Sequence, residues 1–266
     1  MGLVLLALLP AALARIAFVG ADAAWQLLLA IPIALGFEAA MLKLRRQPAR
    51  PFLGDLSAPL SAVLLALLLP PVTPWWMLAT GLFVAIVLAK HAFGGLGENP
   101  FNPAMAGYAA LLICFPSNFV ASAPEGPWTA GSPAWIACLY ALGGIFLIGK
   151  RIIAWQTPLA MLVGAAMAAL ALQPGPAQTA ALDLHAWSIA TLVLAAFFIV
   201  TDPVTGCMSP QGRLFFGAGS GFLTVLLTGI GGVADGLPFA VLSMNIAAPW
   251  IDRHTRPVRR QQGLQP

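Results

Sequence analysis

The sequence predicts an all-α, polytopic membrane protein of about ten transmembrane helices, arranged as two inverted-repeat halves with broken helices. Three observations predict it. Apolar residues make up 60% of the 266 residues and charged residues only 8%, against about 45–50% and about 25% in soluble domains. The apolar residues fall into successive runs near the length of a bilayer crossing, several of them shortened by Gly and Pro. Lys and Arg are confined to alternate loops between the runs, the distribution that marks cytoplasmic loops.

The runs, in order, are residues 2–19, 23–42, 57–69, 75–90, 103–115, 133–148, 158–172, 187–200, 214–230 and 237–251. In the first, the stretch from Leu3 closes on Ala12-Leu13-Ala14 like a signal-peptide cleavage site. No Lys or Arg precedes it, so it reads as a span. The second run is followed by Lys43, Arg45, Arg46 and Arg50, the fourth ends at Lys90, and the sixth precedes Lys150 and Arg151. The eighth precedes Arg213, and the tenth precedes Arg253, Arg256, Arg259 and Arg260. The odd loops, around Asp22 and over residues 70–74, 116–132, 173–183 and 231–236, carry no Lys or Arg. Both termini are therefore expected in the cytoplasm. Arg15 alone falls near the outer end of a span, where it is expected to snorkel or to pair with Asp22. The chain divides into halves 1–132 and 133–252, with a basic cytoplasmic tail over 253–266. Trp75, Trp76, Trp128, Trp135, Trp187 and Trp250 fit an interfacial belt.

The most informative stretch is Gly94-Gly95-Leu96-Gly97-Glu98-Asn99-Pro100-Phe101-Asn102-Pro103. Gly and Pro this dense end a helix and leave backbone groups without helical partners. At membrane depth such a break is tolerated only where protein or a water-filled cavity covers it. A second break, Thr201-Asp202-Pro203-Val204-Thr205-Gly206, has the same form: an Asn/Asp-Pro step, a polar residue two positions on, and Gly-rich helix beyond. If the two are repeat-related, they should lie side by side. Gly94, Gly95, Gly97, Glu98, Asn99, Asn102, Asp202 and Thr205 are the candidate ion-path residues. For Glu98 and Asp202 two roles stand open, capping the following helix or contacting an ion or substrate. Asn99 and Asn102 divide in the same way between turn-making and coordination.

Other polar residues have plainer readings. Glu38 is placed to pair with Lys43, and Lys90 and His91 to anchor a span end. Asp235 and Asp252 read as turn or interface residues, and His185 and His254 fall in an outer loop and the tail. Cys114, Cys138 and Cys207 form no CxxC pair, and no His/Cys/Asp/Glu grouping has metal-ligand spacing. The net charge of +4 sits in topology-setting loops, and only two Tyr are present, so nucleic-acid binding is not expected.

The stretch Phe93 to Met105 resembles the signature of the RnfD subunit of the Rnf electron-transport complex and of its homologue, the NqrB subunit of the sodium-translocating NADH:quinone oxidoreductase. Further matches run in the same order: Pro70-Pro71 to Trp75-Trp76, Phe197 to Thr205, Gly212-Arg213-Leu214, Asp235-Gly236, Phe239 to Leu242, and Ile251-Asp252 to Pro257. The resemblance implies a ten-span subunit of the bacterial inner membrane, working with the other subunits of a complex. That complex couples electron transfer from ferredoxin or NADH to sodium or proton movement. It also implies flavin mononucleotide (FMN) joined through phosphate to a threonine in a Ser-Gly-Ala-Thr motif. Here the corresponding loop reads Thr129-Ala130-Gly131-Ser132-Pro133, so the acceptor would be Ser132, with Thr129 nearby, and Gly126 replaces the expected acid. Covalent flavin is doubtful on that ground, and a Gly/Pro turn is the alternative. The cytoplasmic arm usual in the family does not precede the first span, as a start chosen too far downstream would leave it. A passive channel or secondary transporter, or a scaffold subunit that has lost the flavin, are the competing functions.

Overall fold

The computed structural model describes residues 1–48, 52, 54–120, 134–172, 185–230 and 235–255. All regular structure among them is helical. Helix α1 spans Gly2–Val19, α2 Ala21–Leu44, α3 Ser57–Leu68 and α4 Trp75–Phe83, the last continuing as a π-helix over Val84–His91. Helix α5 is Pro103–Cys114, α6 the short Pro116–Val120, α7 Ala134–Gly149 and α8 Gln156–Leu172. Helix α9, His185–Leu194, continues as a π-helix over Ala195–Ile199 and is followed by α10, Pro210–Ile230, and α11, Leu237–Thr255. His185 thus begins a helix instead of lying in a loop.

Each of the ten apolar runs coincides with one of these helices, because length and composition are what set both. Helices α1 and α2 are long and apolar enough to cross a bilayer; at about 1.5 Å per residue they span about 27 and 36 Å. Large apolar side chains point outward across the molecule: Leu28 is 64% exposed, Ile113 68%, Leu170 74% and Trp250 66%. A water-facing surface of this kind would aggregate, whereas hydrocarbon accepts it.

Small residues close the core. In α10, a Cβ on Gly217 would come 2.4 Å from the Thr157 carbonyl oxygen of α8, and one on Gly221 would overlap the Met161 carbonyl. This Gly-x-x-x-Gly face brings the two backbones into direct contact, where association rests on van der Waals packing.

Arg15 neither snorkels nor pairs with Asp22. It is buried, and its guanidinium donates to the carbonyls of Leu67 and Leu69, the latter at 2.7 Å, at the C-terminal end of α3. Gln26 of α2 completes the cap by donating to the Pro70 carbonyl at 3.0 Å. The exposed carbonyls of a helix end carry negative partial charge and lack donors, and the guanidinium supplies both N–H groups and positive charge. Most of the loop 116–132, with Thr129 and Ser132 in it, falls on residues 121–133, outside the described residues.

Candidate functional site

The two breaks meet. Each is entered from a π-helical turn, whose i→i+5 bonds are seen in Ala92 N to Val87 O and Val200 N to Ala195 O, both 3.0 Å. Such turns loosen a helix where it ends and recur at functional sites. After the first, Gly94, Gly95 and Gly97 take φ of 123°, 102° and 94°, a region open to Gly and strained for other residues. Gly95 N bonds Lys90 O at 3.0 Å, folding the loop back on the π turn.

Asn102 does two jobs. Its Oδ1 accepts from Met105 N at 3.2 Å, capping α5 with Pro103 at the first helical position, the arrangement caps favour. Its Nδ2 donates to the Ile199 carbonyl at 3.4 Å, across to the second π turn. Asn245 of α11 fastens the two breaks together: Oδ1 accepts from Asn102 N at 3.1 Å and Nδ2 donates to the Thr205 carbonyl at 3.1 Å. Its position in the apolar run 237–251 is the only sequence signal.

In the second break, Asp202 closes a turn and caps no helix. Its Oδ1 accepts from Val204 N at 3.1 Å and its Oδ2 from Thr205 Oγ1 at 3.0 Å. Ser209 caps α10 instead, through Gly212 N to Oγ at 2.8 Å. Asp252 is more than an interface residue: from the last helix it accepts from Met208 N and Ser209 N at 3.0–3.1 Å, fixing the end of the break. Burial raises the Asp202 carboxyl above the ordinary aspartate value, against the pull of its two bonds. Asp235 keeps its turn, accepting from Leu237 N at 2.8 Å, and adds a bond from Tyr108 Oη at 2.9 Å.

Between the breaks lies a cavity of about 230 Å³. Asn99, Asn102 and Asp202 line it, with Ser57, Ser61, Lys90 and Thr201, against apolar walls that include Phe197 and Phe198. Asn99 is 4% exposed. Its Nδ2 donates to Phe101 O at 2.9 Å, while its Oδ1 has no partner among the described residues. Glu98 is exposed and away from this lining. Gly94, Gly95 and Gly97 shape the loop, and Thr205 stands behind Asp202.

Glu38 pairs with Lys90, not with Lys43. Lys90 is 1% exposed, and its Nζ donates to Glu38 Oε1 at 2.8 Å and to Ser57 Oγ at 2.7 Å. Lys90 and His91 are thus buried network members, not span-end anchors. Arg45 Nη1 lies 3.2 Å from His91 Nδ1. A guanidinium only donates, so Nδ1 accepts, and the ring's Nε2 lies 3.1 Å from Glu38 Oε2 without the alignment of a hydrogen bond. Sequence spacing favours the local Glu38–Lys43 pair because it cannot register a partner 52 residues away. The signal present is a charge inside an apolar run.

A sequence model described as the NQR2, RnfD, RnfE family matches residues 1–132 and 126–261. The chain belongs to this family. It is 41% identical to the RnfD subunit of an ion-translocating oxidoreductase complex of Pseudomonas aeruginosa (strain LESB58), over 85% of this chain and 80% of that one. A protein of the same description from Ectopseudomonas mendocina is 39% identical over 96% of this chain and 89% of its own length. One from Vibrio atlanticus is 36% identical over 94% and 90%. The family matches extend across both breaks, so the cavity between them belongs to the part of the chain shared with these relatives.

Proposed function

We propose that this chain is a membrane subunit of an ion-translocating electron-transport complex, and that the cavity between the two breaks is a section of its ion path. The relatives' descriptions name such a complex, and other subunits are the partners this implies. The helices at the ten apolar runs and the alternate basic loops support ten spans with both termini cytoplasmic, and the likeness to the RnfD relatives supports a bacterial inner membrane. The two helix–π-turn–break–helix units support a two-half repeat.

The observation that carries the reading is Asn99 Oδ1, a buried acceptor without a partner among the described residues, belonging to a residue that lines the same cavity as Asp202. An unpaired buried oxygen costs about 1–3 kcal/mol, and carbonyl and carboxylate oxygens are what replace water around a cation in a pore. Asp202→Asn and Asn99→Leu in the assembled complex, in inverted vesicles energised by electron donor, test it. Ion uptake per electron should fall several-fold in both. Uptake unchanged in both, with normal assembly, rules the path out. Ion leak through the chain alone in liposomes would favour a passive channel instead.

The flavin implied by resemblance would attach at Ser132. FMN would supply one-electron redox chemistry if bound. In-gel fluorescence of the denatured protein decides: a fluorescent band supports attachment, and a dark one excludes a covalent flavin.

A further inference from the structure

We propose that Lys90 sets the affinity of the cavity for its ion: a built-in cation on the wall that opposes cation binding, against the Asp202 carboxylate that favours it. The inference rests on the ion-path reading. Lys90 and its partner Ser57 both line the cavity, whereas Glu38 does not. An ammonium has three N–H bonds, and Glu38 and Ser57 take two of them. Both oxygens of Glu38 are turned to the protein, Oε1 to Lys90 and Oε2 to His91. His91 in turn is held by Arg45, which also lies against the loop, its Nη1 3.1 Å from where a Gly95 Cβ would sit. Seen from the cavity, the positive charge therefore comes first and the compensating carboxylate behind it.

Stability alone is a weak reason for such a pair, because apolar residues of similar volume commonly replace a buried ion pair without loss. The electrostatic consequence is larger. Charges a few ångströms apart interact strongly at the effective dielectric of a protein interior. A cation beside Lys90 is repelled, and one beside Asp202 is attracted. The cavity wall thus carries charges of both signs, and Asn99 Oδ1 is a neutral oxygen of the lining without a partner among the described residues.

The test replaces the pair by the neutral isosteres Glu38→Gln with Lys90→Met in the full complex, which leaves the net charge unchanged. Vesicles are assayed for sodium uptake with isotopic sodium and for proton uptake with a pH-indicator dye. Whichever ion the wild type takes up is then titrated. The concentration giving half-maximal uptake should fall by about threefold or more, while Asp202→Asn should raise it. A double variant with wild-type half-saturation, beside a shifted Asp202→Asn, overturns the role of Lys90 and leaves the ion path standing. If Asp202→Asn is also unshifted, the ion path itself is wrong. Should the double variant fail to assemble, Lys90→Met alone provides the reading: half-saturation should fall, and an unchanged value in an assembled complex overturns the proposal.

Discussion

The two breaks do the same geometric job by different means. The first is a backbone device: three glycines with positive φ of 94–123° fold the chain back on a π turn, and a compensated ion pair, Glu38–Lys90, backs it. The second contains no residue with positive φ. It is held by side-chain oxygens, Asp202, Ser209 and Asp252, each accepting backbone N–H groups. Glycine-built turns tolerate little side-chain change, whereas carboxylate-held turns depend on charge. The first break thus brings the positive end of an ion pair to the cavity wall, and the second a carboxylate held only by neutral donors.

The sharpest way to break this comparison is Glu38→Gln alone. It leaves the Lys90 ammonium buried without its counter-charge, so it should cost about 3–5 kcal/mol, read as a lower thermal transition in detergent. Asn245→Leu should come next, since it strands Asn102 N and the Thr205 carbonyl in the interior. About 2–4 kcal/mol is expected, together with weakened coupling of ion uptake to electron transfer.

Gly94→Ala should cost about 1–3 kcal/mol, because its φ of 123° is strained for Ala and the new Cβ would stand 2.8 Å from Glu98 Cβ. Gly206→Ala, at ordinary φ and with its nearest contact at 3.1 Å, should cost less than about 1 kcal/mol. Equal losses at the two glycines would erase the distinction between the breaks.

The smallest effect is one of pH. A raised carboxyl holds its proton more tightly in the folded state, so Asp202 contributes stability below its ordinary value of 3.8. That contribution is lost as pH rises through the higher folded value. Thermal scans from about pH 4 to 7 should show this decline in the wild type and a flatter profile in Asp202→Asn.

Much of this is legible in the residues. Ten helices appear where ten apolar runs lie, and Gly94 to Gly97 announce a turn that only glycine permits. Asn102 and Asp202 stand out as polar residues at Pro-containing breaks, and both line the cavity, though the cap at α10 falls to Ser209. Glu98 stands out equally, because a carboxylate inside a motif looks functional whether or not the chain turns it outward, as it does here. Arg15, Glu38, Lys90 and Asn245 escape a local reading for one reason: their partners lie 33 to 143 residues away along the chain.

The sequence by itself determined which segments are helical, where they break and which family the chain resembles. Those properties follow from local composition, side-chain entropy and the φ limits of Gly and Pro. Only the tertiary structure decided that the breaks share a cavity, that Asn245 ties them together, and that Lys90 faces the same space as Asp202. Contacts between distant segments are fixed by how helix faces pack, which no local pattern encodes.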